Sequence, residues 1–243
     1  MLHGWLGSWG LWQETMQFLG QYYRTYALDF WGFGESGKKR NTYRVTDFVS
    51  LVDQFMEKLG ILRAPLVGHS MGGTVSLAVA LQYPERVSKA TIIGSPVAGS
   101  SLALPLKFAG YRPIAWLLFN MFSAFRKSMR IASPFICGDP RFPDMMDRDL
   151  SRTTLESFLV SIASLRKTDL RPQIHQISVP VMGMFGDRDN IVNPNQGRAL
   201  QRGLSAARIE RFNRAGHFIM LDEPQLFMLK LKDFLDTPDE TIL

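Results

Sequence analysis

A serine able to act as a nucleophile is marked by the run Leu66-Val67-Gly68-His69-Ser70-Met71-Gly72-Gly73, where an apolar segment meets a Gly-x-Ser-x-Gly turn and a helical pattern follows. A serine at the tip of a sharp strand-to-helix turn is held in a strained backbone conformation, and glycines two residues before and after it leave room where a Cβ would clash. The Oγ of Ser70 then projects clear of the sheet. The same turn directs the backbone N–H of Met71 toward the place where a substrate oxyanion forms. That place lies at the N-terminus of the helix expected over residues 71–83, whose dipole favours negative charge. A serine hydroxyl needs a base beside it to attack at neutral pH. The chain has four histidines: His3, His69, His175 and His217. Only His217 stands in an apolar-flanked segment downstream of an acidic turn, the one that carries Asp187 and Asp189. His69 adjoins the nucleophile, yet alternation along the turn sends its side chain away from Ser70, so it is read as packing. His175 is read as a surface residue.

Four further segments, together with the serine turn, resemble the α/β-hydrolase fold family, specifically its serine esterase and lipase-like branch. His3-Gly4-Trp5 is similar to the family's His-Gly oxyanion loop. Residues 28–36, Leu-Asp-Phe-Trp-Gly-Phe-Gly-Glu-Ser, are similar to its glycine-rich loop after the fourth strand. Residues 179–189 read as a buried strand ending in the family's acid turn, and Ala215-Gly216-His217-Phe218 resembles the segment that carries its histidine. The order Ser, Asp, His is the one this fold uses. The resemblance implies that Ser70, Asp189 and His217 are catalytic, with Asp187 the reserve acid, since family spacing places the acid three residues beyond Gly186. It implies that Trp5 donates a second oxyanion N–H beside that of Met71. It also puts His3 and Gly4 at the substrate, His3 as a hydrogen-bonding residue of the loop and not as a base.

These residues need a scaffold, and the chain supplies its pattern. Its 243 residues, 46% hydrophobic, are enough for one large α/β domain. Strand-like runs at 22–29, 64–69, 87–94 and 207–212 alternate with helical patterns at 45–59, 71–83, 194–204 and 224–235, which means a mainly parallel sheet with helices on both faces. Within 45–59, Val45, Phe48, Val49, Val52, Phe55, Met56 and Leu59 form one stripe, the spacing of a helix packed on a sheet.

Residues 96–175 do not follow that plan and are read as an inserted helical cap over the site, leaving 1–95 and 176–243 as the core. The stretch 102–125 is dense in Leu, Phe, Trp and Met but is interrupted by Pro105, Lys107, Arg112 and Pro113, which argues for amphipathic helices over a membrane span. The insertion holds eleven Lys or Arg against six Asp or Glu, so five of the chain's six net positive charges lie there. An apolar, basic cap suits a long acyl or lipid substrate, or peripheral contact with an anionic membrane. No clustered basic and aromatic motif points to nucleic acid.

The single cysteine, Cys137, cannot form an internal disulfide, which is compatible with a reducing compartment. Paired Cys or His at metal spacing are absent, so neither metal nor cofactor is expected. No leader pattern is visible at the start, and a cytoplasmic location is the expectation. Relatives place two strands and most of a third before the His-Gly loop, whereas here two residues precede His3. The resemblance therefore implies missing N-terminal strands, with a gap beside the 64–69 strand flanked by unpaired backbone groups, or a repaired edge. The expected activity is hydrolysis of carboxylic esters through an acyl-enzyme on Ser70. The alternatives are acyl transfer, carbon–carbon bond hydrolysis or perhydrolysis with the same residues, or a non-catalytic relative or fragment. Oligomeric state is not legible.

Overall fold

The structure, a computed structural model, describes residues 1–38, 42–104, 106, 113 and 122–238. Its first helix, α1 (Gln13–Leu19), precedes α2 (Val45–Lys58), β1 (Ala64–His69), α3 (Met71–Gln82) and β2 (Val87–Ile93). Then come α4 (Phe122–Ala132), α5 (Phe142–Ser151), α6 (Leu155–Lys167), β3 (Val181–Gly186), α7 (Gln196–Gly203) and β4 (Arg208–Phe212), followed by the short α8 (Ile219–Asp222) and α9 (Pro224–Asp236). The four strands form one parallel sheet in the order β1-β2-β3-β4. Parallel strands joined by helices are covered on both sides, which is why their sequences are apolar without alternation.

Successive strand residues serve two cores. Leu66, Ala90, Ile92, Val181 and Phe185 pack with α2 and α3, whereas Val67, Ile93, Met182, Met184 and Phe212 pack with Trp12, Leu19, Phe227, Leu231 and Phe234 of the opposite face. The stripe on α2 is buried at Val45, Phe48, Val49, Val52 and Met56, joined by Leu51, while Leu59 lies beyond the helix end and is exposed.

The run at 22–29 is not a strand. Only Leu28 is bridged there, to Leu2, and Leu2 is bridged in parallel to Gly68 on its other side. Leu2 N–H donates to Val67 O at 2.8 Å, His69 N–H to Leu2 O at 2.9 Å, and Leu28 N–H to Met1 O at 3.1 Å. The gap with unpaired flanks expected from the sequence is bridged at the level of Leu2. An apolar cavity of about 140 Å³ lies alongside, lined by Met1, Leu2, Tyr26, Leu28, Met56 and Leu66 among others.

Of the amphipathic helices expected over 102–125, most lies outside the described residues; α4 begins at its C-terminal end. Among the described residues no helix is long and apolar enough to cross a membrane. The remainder of the insertion, α5 and α6, returns to the core: Phe158, Ile162 and Leu165 of α6 join the same cluster as α2 and α3.

The β1–α3 junction has almost no free space. A Cβ on Gly68 would stand 2.3 Å from the backbone of Gly72, and one on Gly72 would stand 2.3 Å from Leu2 O. Three backbones thus meet where only hydrogen fits. Gly72→Ala should lower the unfolding free energy by about 3 kcal/mol or abolish folding, while Gly37→Ala, with nothing near its missing Cβ, should stay within about 0.5 kcal/mol of the parent. Urea denaturation of the two variants side by side checks this.

Candidate active site

Ser70 follows β1 directly and sits at φ 51°, ψ −118°, a conformation that non-glycine residues adopt only under constraint. The constraint is visible in its bonds: Ser70 N–H donates to Ile93 O of β2, and Ser70 O accepts from Gly73 and Thr74 of α3. The turn therefore hangs between two strands and a helix, and its side chain, 6% exposed, opens on a cavity. Met71, the first residue of α3, is fully buried.

The candidate acid and base lie beyond the C-terminal ends of β3 and β4, the edge where parallel α/β sheets collect functional groups. Asp189 follows β3 and His217 follows β4. His217 Nδ1 and Asp189 Oδ2 are 2.8 Å apart, so Nδ1 carries the proton and donates it. Nε2 is left with its lone pair. Asp189 Oδ1 is held by the N–H groups of Ile191 (2.8 Å) and Val192 (2.9 Å), which leaves Oδ2 for the histidine. Asp187, two residues earlier, points elsewhere and pairs with Arg211. Among the described residues no hydrogen bond joins Ser70 Oγ to His217 Nε2; both side chains line one cavity. Such contacts are commonly loose before substrate binds.

The loop at His3-Gly4-Trp5 is pressed against the serine. A Cβ on Gly4 would come within 3.1 Å of Ser70 Cβ and 2.9 Å of His69 Nδ1. Gly4 and Trp5 line the cavity, and Trp5 Nε1–H donates to Phe158 O of α6 at 3.2 Å. His3 does not line it, which corrects the expectation that it contacts substrate. Its ring is fully buried behind the wall: Nδ1–H donates to Gly4 O at 2.7 Å and Nε2 accepts from Phe30 N–H at 2.9 Å. His3 thereby ties the loop to residues 28–36, where Asp29 accepts from Trp9 N–H (2.6 Å) and Glu35 N–H (2.8 Å).

His69 is buried, as read from the sequence, but it also touches the base. Its Nε2–H donates to His217 O at 3.0 Å and the two rings lie 4.6 Å apart. Nothing local could have revealed this, because the partner carbonyl lies 148 residues away. His175 is exposed.

The cavity itself measures about 120 Å³. The core contributes Gly4, Trp5, Ser70, His217 and Phe218; residues 96–175 contribute Leu102, Met129, Phe142, Met145, Asp149 and Ile162, among others. Among the described residues its wall is apolar except for Ser70, His69, His217 and the carboxylate of Asp149. Among the described residues no group of side chains could hold a metal ion.

The profile of the alpha/beta hydrolase fold matches residues 1–131, more than half of the chain, and the chain belongs to that family. It is 27% identical over 250 residues to the pimeloyl-[acyl-carrier protein] methyl ester esterase of Vibrio campbellii, covering 96% of this chain and 92% of that one. It is 30% identical over 224 residues to the 2-hydroxy-6-oxononadienedioate/2-hydroxy-6-oxononatrienedioate hydrolase of Paraburkholderia phymatum, covering 88% and 76%. Among solved structures, the esterase EaEST of Exiguobacterium antarcticum superposes with a TM-score of 0.80 at 21% identity, over 97% of this chain and 91% of that one. That likeness shows the fold.

Burial holds both His3 and His69 below the ordinary histidine value of 6.5, and for His69 the charge of His217 adds to it. Both groups bind protons more readily once unfolded, so the stability they give is full above their unfolded value of 6.5 and is lost as pH falls below it. The melting temperature should fall between about pH 7 and pH 5, and a scanning calorimetry series across that window measures it.

Proposed function

We propose that the chain is a serine hydrolase that cleaves carboxylic esters of short apolar acyl groups. One observation carries this reading: a strained serine and a carboxylate-held histidine face each other across a single small apolar cavity. His217 Nε2 takes the Ser70 proton as Oγ attacks the ester carbonyl. The N–H groups of Trp5 and Met71 receive the oxyanion, and His217 returns the proton to the leaving alcohol. Water, deprotonated by the same Nε2, then releases the acid. Asp189 stabilises the imidazolium formed in both halves, and the neutral state of His69 matters because a second cation 4.6 Å away would oppose that charge.

The cavity, about 120 Å³ and mostly apolar among the described residues, suits a short apolar acyl group better than a long one. The methyl ester esterase among the relatives supports hydrolysis of an ester bond. The dienedioate hydrolases favour a second reading in which the same residues cleave a carbon–carbon bond. Ester hydrolysis is preferred because, among the described residues, no Lys or Arg lines the cavity to hold a dioate.

A fluorophosphonate probe should label the protein and fail on Ser70→Ala, and p-nitrophenyl butyrate or hexanoate should be turned over faster than the dodecanoate. No labelling of folded protein would defeat the reading. For the acid, Asp189→Asn should lower kcat by about 10⁴-fold and Asp187→Asn by no more than about threefold, as steady-state kinetics would show.

A further inference from the structure

Asp149 is a buried carboxylate that the reaction above does not use. It lies in the last turn of α5, is 2% exposed and lines the catalytic cavity together with Ser70 and His217. Its Oδ1 accepts two hydrogen bonds, from Ser8 Oγ at 2.9 Å and Arg148 Nε at 3.1 Å. Its Oδ2 takes none from the described residues, although an ionised carboxylate offers about four acceptor sites. The neighbouring wall is apolar, formed by Trp5, Phe142, Met145, Ile162 and Phe218.

Holding a charge here is costly in two independent ways. Burial pushes the Asp149 carboxyl up, with Ser8 and Arg148 pulling against it. The C-terminal end of a helix also disfavours an anion. The Arg148 guanidinium at Oδ1 makes a charge-assisted bond that offsets part of that cost and favours the ionised carboxylate. A second carboxylate oxygen without a partner, in the wall of a substrate cavity, is an acceptor waiting for a donor.

We propose that Asp149 determines specificity: its Oδ2 accepts a hydrogen bond from a donor on the substrate, a hydroxyl or an ammonium group, and its charge excludes substrates ending in a carboxylate. This rests on the serine hydrolase reading and separates the chain from hydrolases whose substrates are dioates.

The test uses esters of one six-carbon acid skeleton with four termini: methyl, hydroxyl, ammonium and carboxylate. Binding of the methyl esters is measured by calorimetry on the Ser70→Ala protein, and turnover of the p-nitrophenyl esters on the unsubstituted protein, each with and without Asp149→Asn. The hydroxyl or ammonium ester should bind and react about tenfold better than the carboxylate ester, and Asp149→Asn should bring that ratio close to one without lowering the melting temperature. Which of the two donor arms leads identifies the source of the donor. A ratio unchanged by Asp149→Asn, an equal loss on all four esters, or a preference for the carboxylate would overturn the proposal. If the Asn variant does not fold, the unsubstituted protein still decides, because parity among the termini overturns it. Asp149-dependent binding without turnover would remove the hydrolase reading and leave this one standing; turnover without the preference would do the reverse.

Discussion

The sheet edge that carries Ser70 depends on a close approach of three backbones. Gly68 at the end of β1, Gly72 in the first turn of α3 and the carbonyl of Leu2 lie so near that one added carbon at either glycine would stand 2.3 Å from its neighbour. Because Leu2 O also accepts from His69 N–H, the segment that completes the sheet is the one that presses Gly4 and Trp5 against Ser70. The strained φ of Ser70 is held in place by these contacts. Strain of this kind costs roughly 1–3 kcal/mol and survives only where the surroundings over-determine it. Here β2 on one side, the Leu2 bridge on the other and a helix in front do so.

The same economy extends to the histidines. His3 and His69 are both buried and neutral, and each supports an active group through the backbone: His3 through the carbonyl of Gly4, His69 through the carbonyl of His217. A buried imidazole with a defined tautomer is a rigid spacer with one donor and one acceptor, and at His69 the acceptor Nδ1 has no partner among the described residues. That unsatisfied atom is a stability cost accepted next to the base, in a protein whose other buried polar groups are largely bonded.

Much of this was legible in the sequence, for identifiable reasons. β1 spans the residues expected, and α2, α3, β2, α7, β4 and α9 fall within a few residues of expectation, because hydrophobic periodicity and glycine spacing are local signals. The 22–29 run was not legible: its β-propensity is real, but a strand needs a neighbour along its length and only Met1 and Leu2 lie beside it. Choosing between Asp187 and Asp189 needed the family spacing, since both stand in one turn. What separates them in space is tertiary, Arg211 for the first and the amides of Ile191 and Val192 for the second. Asp149 carried no signal at all. A carboxylate on an amphipathic helix is ordinary until the fold shows that its face lines a cavity.

That asymmetry has a physical basis. Ser70, Asp189 and His217, the residues proposed to make and break bonds, sit on turns after strands, where backbone geometry restricts the residue types, so their pattern is readable. Asp149, proposed to choose the substrate, sits on a helix between β2 and β3, where no turn geometry marks it. Six of the wall positions named here come from that insertion, and only one of them, Asp149, is charged. Among the described residues Asp149 is the one carboxylate in a cavity wall that is otherwise mostly apolar, where interactions are stronger than in bulk solvent. Under the proposed specificity, discrimination between substrates that differ only at one terminus reduces to whether that terminus can donate to, or is repelled by, one carboxylate.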